Sequence, residues 1–308
     1  MSLAASLTGL QIEYVDGVTE IEERLLPPGA EKAKLGNGAL GAWRAHMNVA
    51  RLIVEQNITS ALVLEGDVDW DLRIKSQMQS FAKASRLLLQ PGKGDYNFDA
   101  TIDAAPQSTT SPYGNIDLWD VLWLGHCGSR LPKGDDSKVQ HGRVVIPHDE
   151  TVPEAQHIDF EFGGNELKDD YPDHTRIVSW SRANVCTLAY GISQGGAQRY
   201  LFQLGISRLN SATDLMFQQM CDGSEGRPRH NCLSVQPQLF QHHRAIGHKS
   251  AFSGISDHGD GYNKVAFTKN VRWSTRLNFE KLAYGKTDYV DLFRDGEPRF
   301  DPEADLKR

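Results

Sequence analysis

Residues 61–77 read ALVLEGDVDWDLRIKSQ, and four acids, Glu65, Asp67, Asp69 and Asp71, fall within seven positions directly after four apolar residues. Residues 61–64 form a continuous apolar run, the pattern of a buried parallel strand. Just upstream, Leu40, Trp43, Met47, Ala50 and Val54 recur at helical spacing, so a helix is expected from Gly38 to Gln56. Helix, apolar strand and acidic strand end together define an α/β protein, in which ligands bind where strands run out into loops. Carboxylates this close repel one another unless a cation, solvent or a partner answers them.

Working outward, Asp71 stands where a helix N-cap would, ahead of Leu72, Met78, Phe81, Ala82 and Leu87 at helical spacing. "LQIEYVDGV" (10–18) alternates apolar and polar residues and reads as a short strand and turn. Residues 89–118 are rich in Gly, Pro, Ser and Thr. A loop that long is disordered or functional, for example a lid or an acceptor-binding excursion. "DVLWLGHCG" (120–128) reads as a strand in which Trp123 and the neighbouring Trp119 are core residues. "RVVIP" (143–147) and "HIDFEF" (157–162) suggest further strands, paired as a hairpin. "NVCTLAYGIS" (184–193) leads into a helix that Ser193 would cap, Asp214 opens a short helical run, and "CLSVQPQLFQHHR" (232–244) looks like a last strand with a basic exit. The charged tail, 286–308, is expected to be peripheral. No internal repeat or linker divides the chain, so one domain over 1–308 is expected.

With 308 residues, 39% of them hydrophobic, one substantial core is affordable. The net charge of −7 and the lack of any Lys/Arg run argue against a nucleic-acid partner. No stretch approaches the ~20 apolar residues of a spanning helix, and "MSLAASLTGLQIEYVDG" lacks the basic flank and long apolar run of a signal peptide, so the reading is of a soluble chain. Of the four cysteines, Cys221 and Cys232 bracket a turn-rich loop that a disulfide could staple; four buried free thiols is the other reading. No CxxC pair supports a zinc site. Asn57-Ile58-Thr59 is a glycosylation sequon and, with the cysteines, leans towards the secretory pathway.

Carboxylates at a strand end suit a hard divalent cation that bridges to phosphate oxygens, and such a cation would let a chain of net charge −7 hold a diphosphate. Glu65, Asp67 and Asp69 are the candidate ligands, Asp67 first, while Asp71 alone reads as a cap. His242, His243, Arg244 and His248 lie after the last expected strand, where His242 could complete the metal shell or the group could face an anion. Phosphatases and nucleases also use strand-end acids, so a metal-dependent phosphoesterase is a remote alternative.

"GNGALGAWRAHMNVARLIVEQNITSALVLEGDVDWDLRIK" resembles the glycine-rich helix and acidic strand of glycosyltransferase family 25, the lipopolysaccharide and procollagen galactosyltransferases, in a fungal-type version. The likeness continues through "LWDVLWLGHCG", "RIVSWSRANVCTLAYGISQGGAQRYL", "CLSVQPQLFQHHR" and "KLAYGKTDYVDLF". It implies a GT-A-type, Rossmann-like mixed sheet flanked by helices, a UDP-sugar donor (UDP-galactose first), Mn²⁺ or Mg²⁺, and inversion at the anomeric carbon. It also implies a glycan or glycoprotein acceptor and a Golgi or endoplasmic-reticulum lumen. The family's Glu-Asp-Asp motif falls on Glu65, Gly66 and Asp67, with glycine at the acidic middle position, and the histidine of its Ser-His pair falls on His46, preceded by Ala45. His46 and His126 are thereby candidates for the donor site, each alternatively a buried core histidine. Asp214 is a candidate general base or a helix cap, and Asp257 matches a Ser-Asp position of the family. Aligned on the family, the chain opens at the first helix, after the strand and Arg-rich turn that help hold uridine and without a membrane anchor. A catalytically inactive family member acting as a binding protein is therefore the alternative function.

Overall fold

The computed structural model describes residues 1–90, 102, 105–133 and 140–302. The first helices are α1 (Ser2–Thr8), α2 (Ala30–Ala33) and α3 (Asn37–Glu55), followed by strand β1 (Ser60–Leu64). The acidic stretch then turns at Gly66–Asp67 into β2 (Val68–Trp70), and α4 spans Ile74–Leu88. Strands β3 (Val121–Gly125), β4 (Arg143–Ile146), β5 (Arg176–Trp180) and β6 (Ala189–Ser193) come next, with α5 (Glu166–Asp170) before β5. Helix α6 (Gln194–Tyr200) runs on as a π-helical segment, Leu201–Ser207, into α7 (Thr213–Asp222), β7 (Cys232–Gln236) and β8 (Phe240–Arg244). A two-stranded ribbon of β9 (Gly247–His248) and β10 (Tyr262–Asn263), strand β11 (Phe267–Thr268) and α8 (Phe279–Ala283) close the order.

The main sheet is mixed, in the order β1-β6-β3-β7-β5-β4, with β8 joining from β3 and carrying β2 and β11. Among the described residues, only the pairings of β3 with β7 and with β8 are parallel. The two-residue side-chain period divides the core. Leu122 and Leu124 face one way with Phe81, Val178 and Trp70, against α1 and α4. Val121 and Trp123 face the other way, with Tyr190 and Ile192, against α3, α6 and α7. Phe217 of α7 fills that second layer, its ring 4.7 Å from Trp123, 4.9 Å from Tyr190 and 5.1 Å from Tyr200. Trp119 and Trp123 are core residues, as their sequence context indicated.

The expected helix over 38–56 is α3, one residue out at each end. Ser193 caps α6, its hydroxyl accepting from the Gly196 amide at 3.0 Å. Several expectations are corrected. β1 is not a buried parallel strand: it pairs antiparallel with β6, no described strand lies on its other side, and Leu62 is 41% exposed. Residues 10–18 form no strand; the Leu10 amide goes to the Ala5 carbonyl, and Val18 packs its backbone against Gly41 of α3. Residues 157–162 form no strand either. The amides of Glu161 and Phe162 go to the Cys127 carbonyl, and that of Asp159 goes to the Asn270 side chain, so β4 pairs with β5 instead. The stretch 232–244 is two strands, broken around Pro237, which has no amide to donate. Asp71 does not cap α4 directly; it stands three residues earlier, accepting from the Arg73 amide at 2.8 Å.

Residues 91–101, 103 and 104 of the expected 89–118 loop lie outside the described residues. Its described end packs on α4, where Ser85 Oγ donates to the Tyr113 carbonyl and Arg86 to the carbonyls of Pro106 and Pro112. The stretch after 285 is anchored rather than peripheral as far as 302: Arg272 pairs with Asp291 at 2.7 Å and Phe293 is buried. All four cysteines are paired, Cys221 with Cys232 and Cys127 with Cys186. Among the described residues no helix is long and apolar enough to cross a membrane.

Candidate metal centre

Three of the sequence candidates meet. Glu65 at the end of β1, Asp67 in the following turn and His242 on β8 each offer a ligand atom, and these atoms lie within 4.8 Å of one another. The antiparallel pairing of β2 with β8 sets Val68 opposite His242 and so brings the turn to the histidine, whose Nε2 lies 3.6 Å from Asp67 Oδ2. Gly66, between the two acids, is open: a Cβ there would meet nothing within 4 Å, so a side chain at this position would point into solvent rather than at its neighbours. Asp67 keeps 44% of its side-chain surface exposed and Glu65 31%, so the group is reachable from outside.

Glu65 is held from beneath. Thr187 Oγ1 donates to its Oε1 at 2.8 Å, and His46 Nε2 lies 3.7 Å from the same oxygen. His46 Nδ1 in turn shares a hydrogen bond of 2.8 Å with the buried Tyr190 hydroxyl. Burial pushes the Glu65 carboxyl up, but the hydrogen bond and charge of His46, with the Thr187 hydroxyl, outweigh it and hold the group below its ordinary range. Burial lowers the His242 pKa, and the Arg244 cation lowers it further, against the pull of Asp67 and Glu65. The ring is therefore neutral near pH 7, the form that can ligate a metal.

Two carboxylates and a neutral imidazole at these separations fit a hard divalent cation such as Mn²⁺ or Mg²⁺. The fit has one condition. Arg244 Nη2 donates to His242 Nδ1 at 3.1 Å, which leaves the ring proton on Nε2, towards Asp67. Ligation through Nε2 would need that proton on Nδ1, and Arg244 would then have to release the ring.

The other candidates are not in this group. Asp69 is buried on the opposite side: its Oδ1 accepts from the amides of Trp70 and Arg276, and its Oδ2 from Thr268 Oγ1 and Ser274 Oγ. Those four donors saturate the carboxylate and leave no lone pair for a shared cation. His243 turns with it, its Nδ1 3.0 Å from Thr268 Oγ1. His126 is wholly buried, with Nε2 bonded to the Val235 carbonyl at 2.9 Å and its pKa pushed down to about 4 by burial. Asp214 accepts from the Cys186 amide at 3.0 Å, so it braces the turn before Thr187. His248 is exposed against Tyr262, and Asp257 closes an exposed turn through the Gly259 amide.

A cavity of about 420 Å³ opens beside His242. Arg244, Lys249, Phe252, Asp159, Glu161 and Lys269 are among the residues that line it. Sequence reading missed Thr187, Tyr190 and Glu161. The first two sit in "NVCTLAYGIS" and Glu161 in "HIDFEF", stretches whose strand-like pattern drew attention from individual polar residues. The chain matches no protein-family model and no curated protein sequence, so the residues themselves define it as a mixed α/β protein with a strand-end acid–histidine group.

Proposed function

We propose that the protein is a metal-dependent glycosyltransferase of GT-A type, moving a hexose, galactose first, from a UDP-sugar to an acceptor hydroxyl with inversion. The observation that carries this reading is the meeting of Glu65 and Asp67 with His242, which also lines a cavity that Arg244 and Lys249 share. The resemblance of the chain's ordered motifs to glycosyltransferase family 25 supports the same reading.

In this account Glu65, Asp67 and His242 hold Mn²⁺ or Mg²⁺, which when bound supplies positive charge against the leaving diphosphate. Thr187 and His46 keep the Glu65 carboxylate aimed and ionised. Arg244, whose Nη1 is held by the Phe252 carbonyl at 3.0 Å, could on leaving His242 Nδ1 offer its Nη2 to a phosphate oxygen. Cation and diphosphate binding are thus coupled through one side chain. The acceptor is a glycan or glycoprotein hydroxyl. A luminal compartment of the secretory pathway is proposed with it, supported by the two disulfides and by the exposed sequon at Asn57.

Calorimetric titration of UDP in the presence of Mn²⁺ or of EDTA, on the wild type and on Asp67→Asn, tests the reading. Metal-dependent UDP binding that the substitution abolishes is the expected result. A folded protein that binds no UDP under either condition overturns it.

A further inference from the structure

An inverting transfer needs a base for the acceptor hydroxyl, and the candidate carboxylates differ in what already holds them. Glu65 and Asp67 belong to the cation group. Asp214 is committed to the Cys186 amide. Asp159 is paired with Lys269 at 2.7 Å and with Arg299 at 3.3 Å. Glu161 is exposed and lines the cavity with His242 and Arg244, whose charges its own charge favours, yet its carboxylate has no hydrogen bond or ion pair among the described residues.

Its backbone, by contrast, is tightly fixed. The Glu161 and Phe162 amides both donate to the Cys127 carbonyl, and the Gly164 amide donates to the Ser129 carbonyl. Two glycines permit this close docking. A Cβ on Gly128 would stand 1.7 Å from the Phe162 carbonyl oxygen, and one on Gly163, at φ +98°, would stand 2.3 Å from that of Ser129. A carboxylate without a hydrogen bond, carried on a fixed backbone and lining the cavity that His242 also lines, is the arrangement of a proton acceptor.

We propose that Glu161 is the general base of the site, taking the proton of the acceptor hydroxyl as its oxygen attacks the anomeric carbon. The inference rests on the sugar-transfer reading above. The new C–O bond forms as the bond from C1 to the diphosphate oxygen breaks. The electron pair leaves on UDP, and the proton passes to the Glu161 carboxylate and then to solvent. Water in place of the acceptor gives free galactose and UDP by the same balance.

The test follows UDP release from UDP-galactose with Mn²⁺, first with water as the acceptor and then with added azide. Azide is an anionic nucleophile and needs no base. Glu161→Gln is expected to lower kcat for hydrolysis about 100-fold or more, while the Kd for UDP with Mn²⁺ changes less than threefold and the melting temperature is kept. Azide is expected to restore UDP release in Glu161→Ala and to yield galactosyl azide, a product that a merely structural role for Glu161 would not generate. Unchanged hydrolysis in Glu161→Gln, or a loss that azide does not rescue, overturns the assignment and leaves the sugar-transfer reading standing. So does a wild type that binds UDP yet releases none from UDP-galactose with either nucleophile. A wild type that binds no UDP overturns both.

Discussion

Removing the Cys127–Cys186 disulfide separates stability from site geometry. It closes a chain of 59 positions, whereas Cys221–Cys232 closes one of 11. Loop-closure entropy assigns the first about 4.2 kcal/mol and the second about 2.8 kcal/mol at 25 °C. The longer bridge also fixes Cys186, whose amide is held by Asp214 and whose neighbour Thr187 donates to Glu65. Urea unfolding of the paired variants Cys127→Ser/Cys186→Ser and Cys221→Ser/Cys232→Ser is expected to show the former less stable by about 1.5 kcal/mol. Loss of an orienting contact of this kind weakens metal binding about 10-fold, so Mn²⁺ affinity should fall in the first variant and stay within about twofold in the second. The reverse order of stability, or equal Mn²⁺ affinity in the two, refutes the reasoning.

Asp69→Ala strands the hydroxyls and amides that now converge on a buried carboxylate and should cost about 3 kcal/mol or more in urea unfolding; wild-type stability would contradict the structural role given to it. Burial raises the Asp71 pKa to about 6, against the hydrogen bonds of the Arg73 and Trp273 amides and the charges of Arg73 and Arg176. The folded state therefore keeps a proton that the unfolded chain releases near pH 4, so this contribution is full below pH 4 and is lost as pH rises through about 6. Asp71→Asn should gain about 3 kcal/mol relative to the wild type across that window in pH-dependent denaturation, and a pH-independent difference would contradict it. Tyr190→Phe removes the bond that orients His46 and should lower Mn²⁺ affinity about 10-fold with the fold intact, whereas an unchanged titration would disconnect Tyr190 from the site.

The local part of this architecture was legible. Apolar spacing located α3, the Ser-Gln-Gly-Gly sequence located the cap of α6, and the acids after residues 61–64 supplied two members of the candidate metal group. What escaped depends on contacts distant in sequence. Strict alternation puts Glu65, Asp67 and Asp69 on one face, but the turn at Gly66–Asp67 rotates the chain, and Asp69 meets Thr268 and Ser274 some two hundred positions away. The direction of β1 was misread because an apolar run looks alike in parallel and antiparallel neighbours. Glu161 sits on a segment whose amides bond to the exit of β3, a pairing that no periodicity announces.

The most direct test of the account is a Mn²⁺ titration followed by electron paramagnetic resonance on the wild type, Asp67→Asn and His242→Gln. Geometry built on Glu65, Asp67 and His242 calls for one tight Mn²⁺ per chain in the wild type and its loss in both variants. Tight binding that survives both substitutions, or no binding by the folded wild type, would contradict the cation centre and the function built upon it.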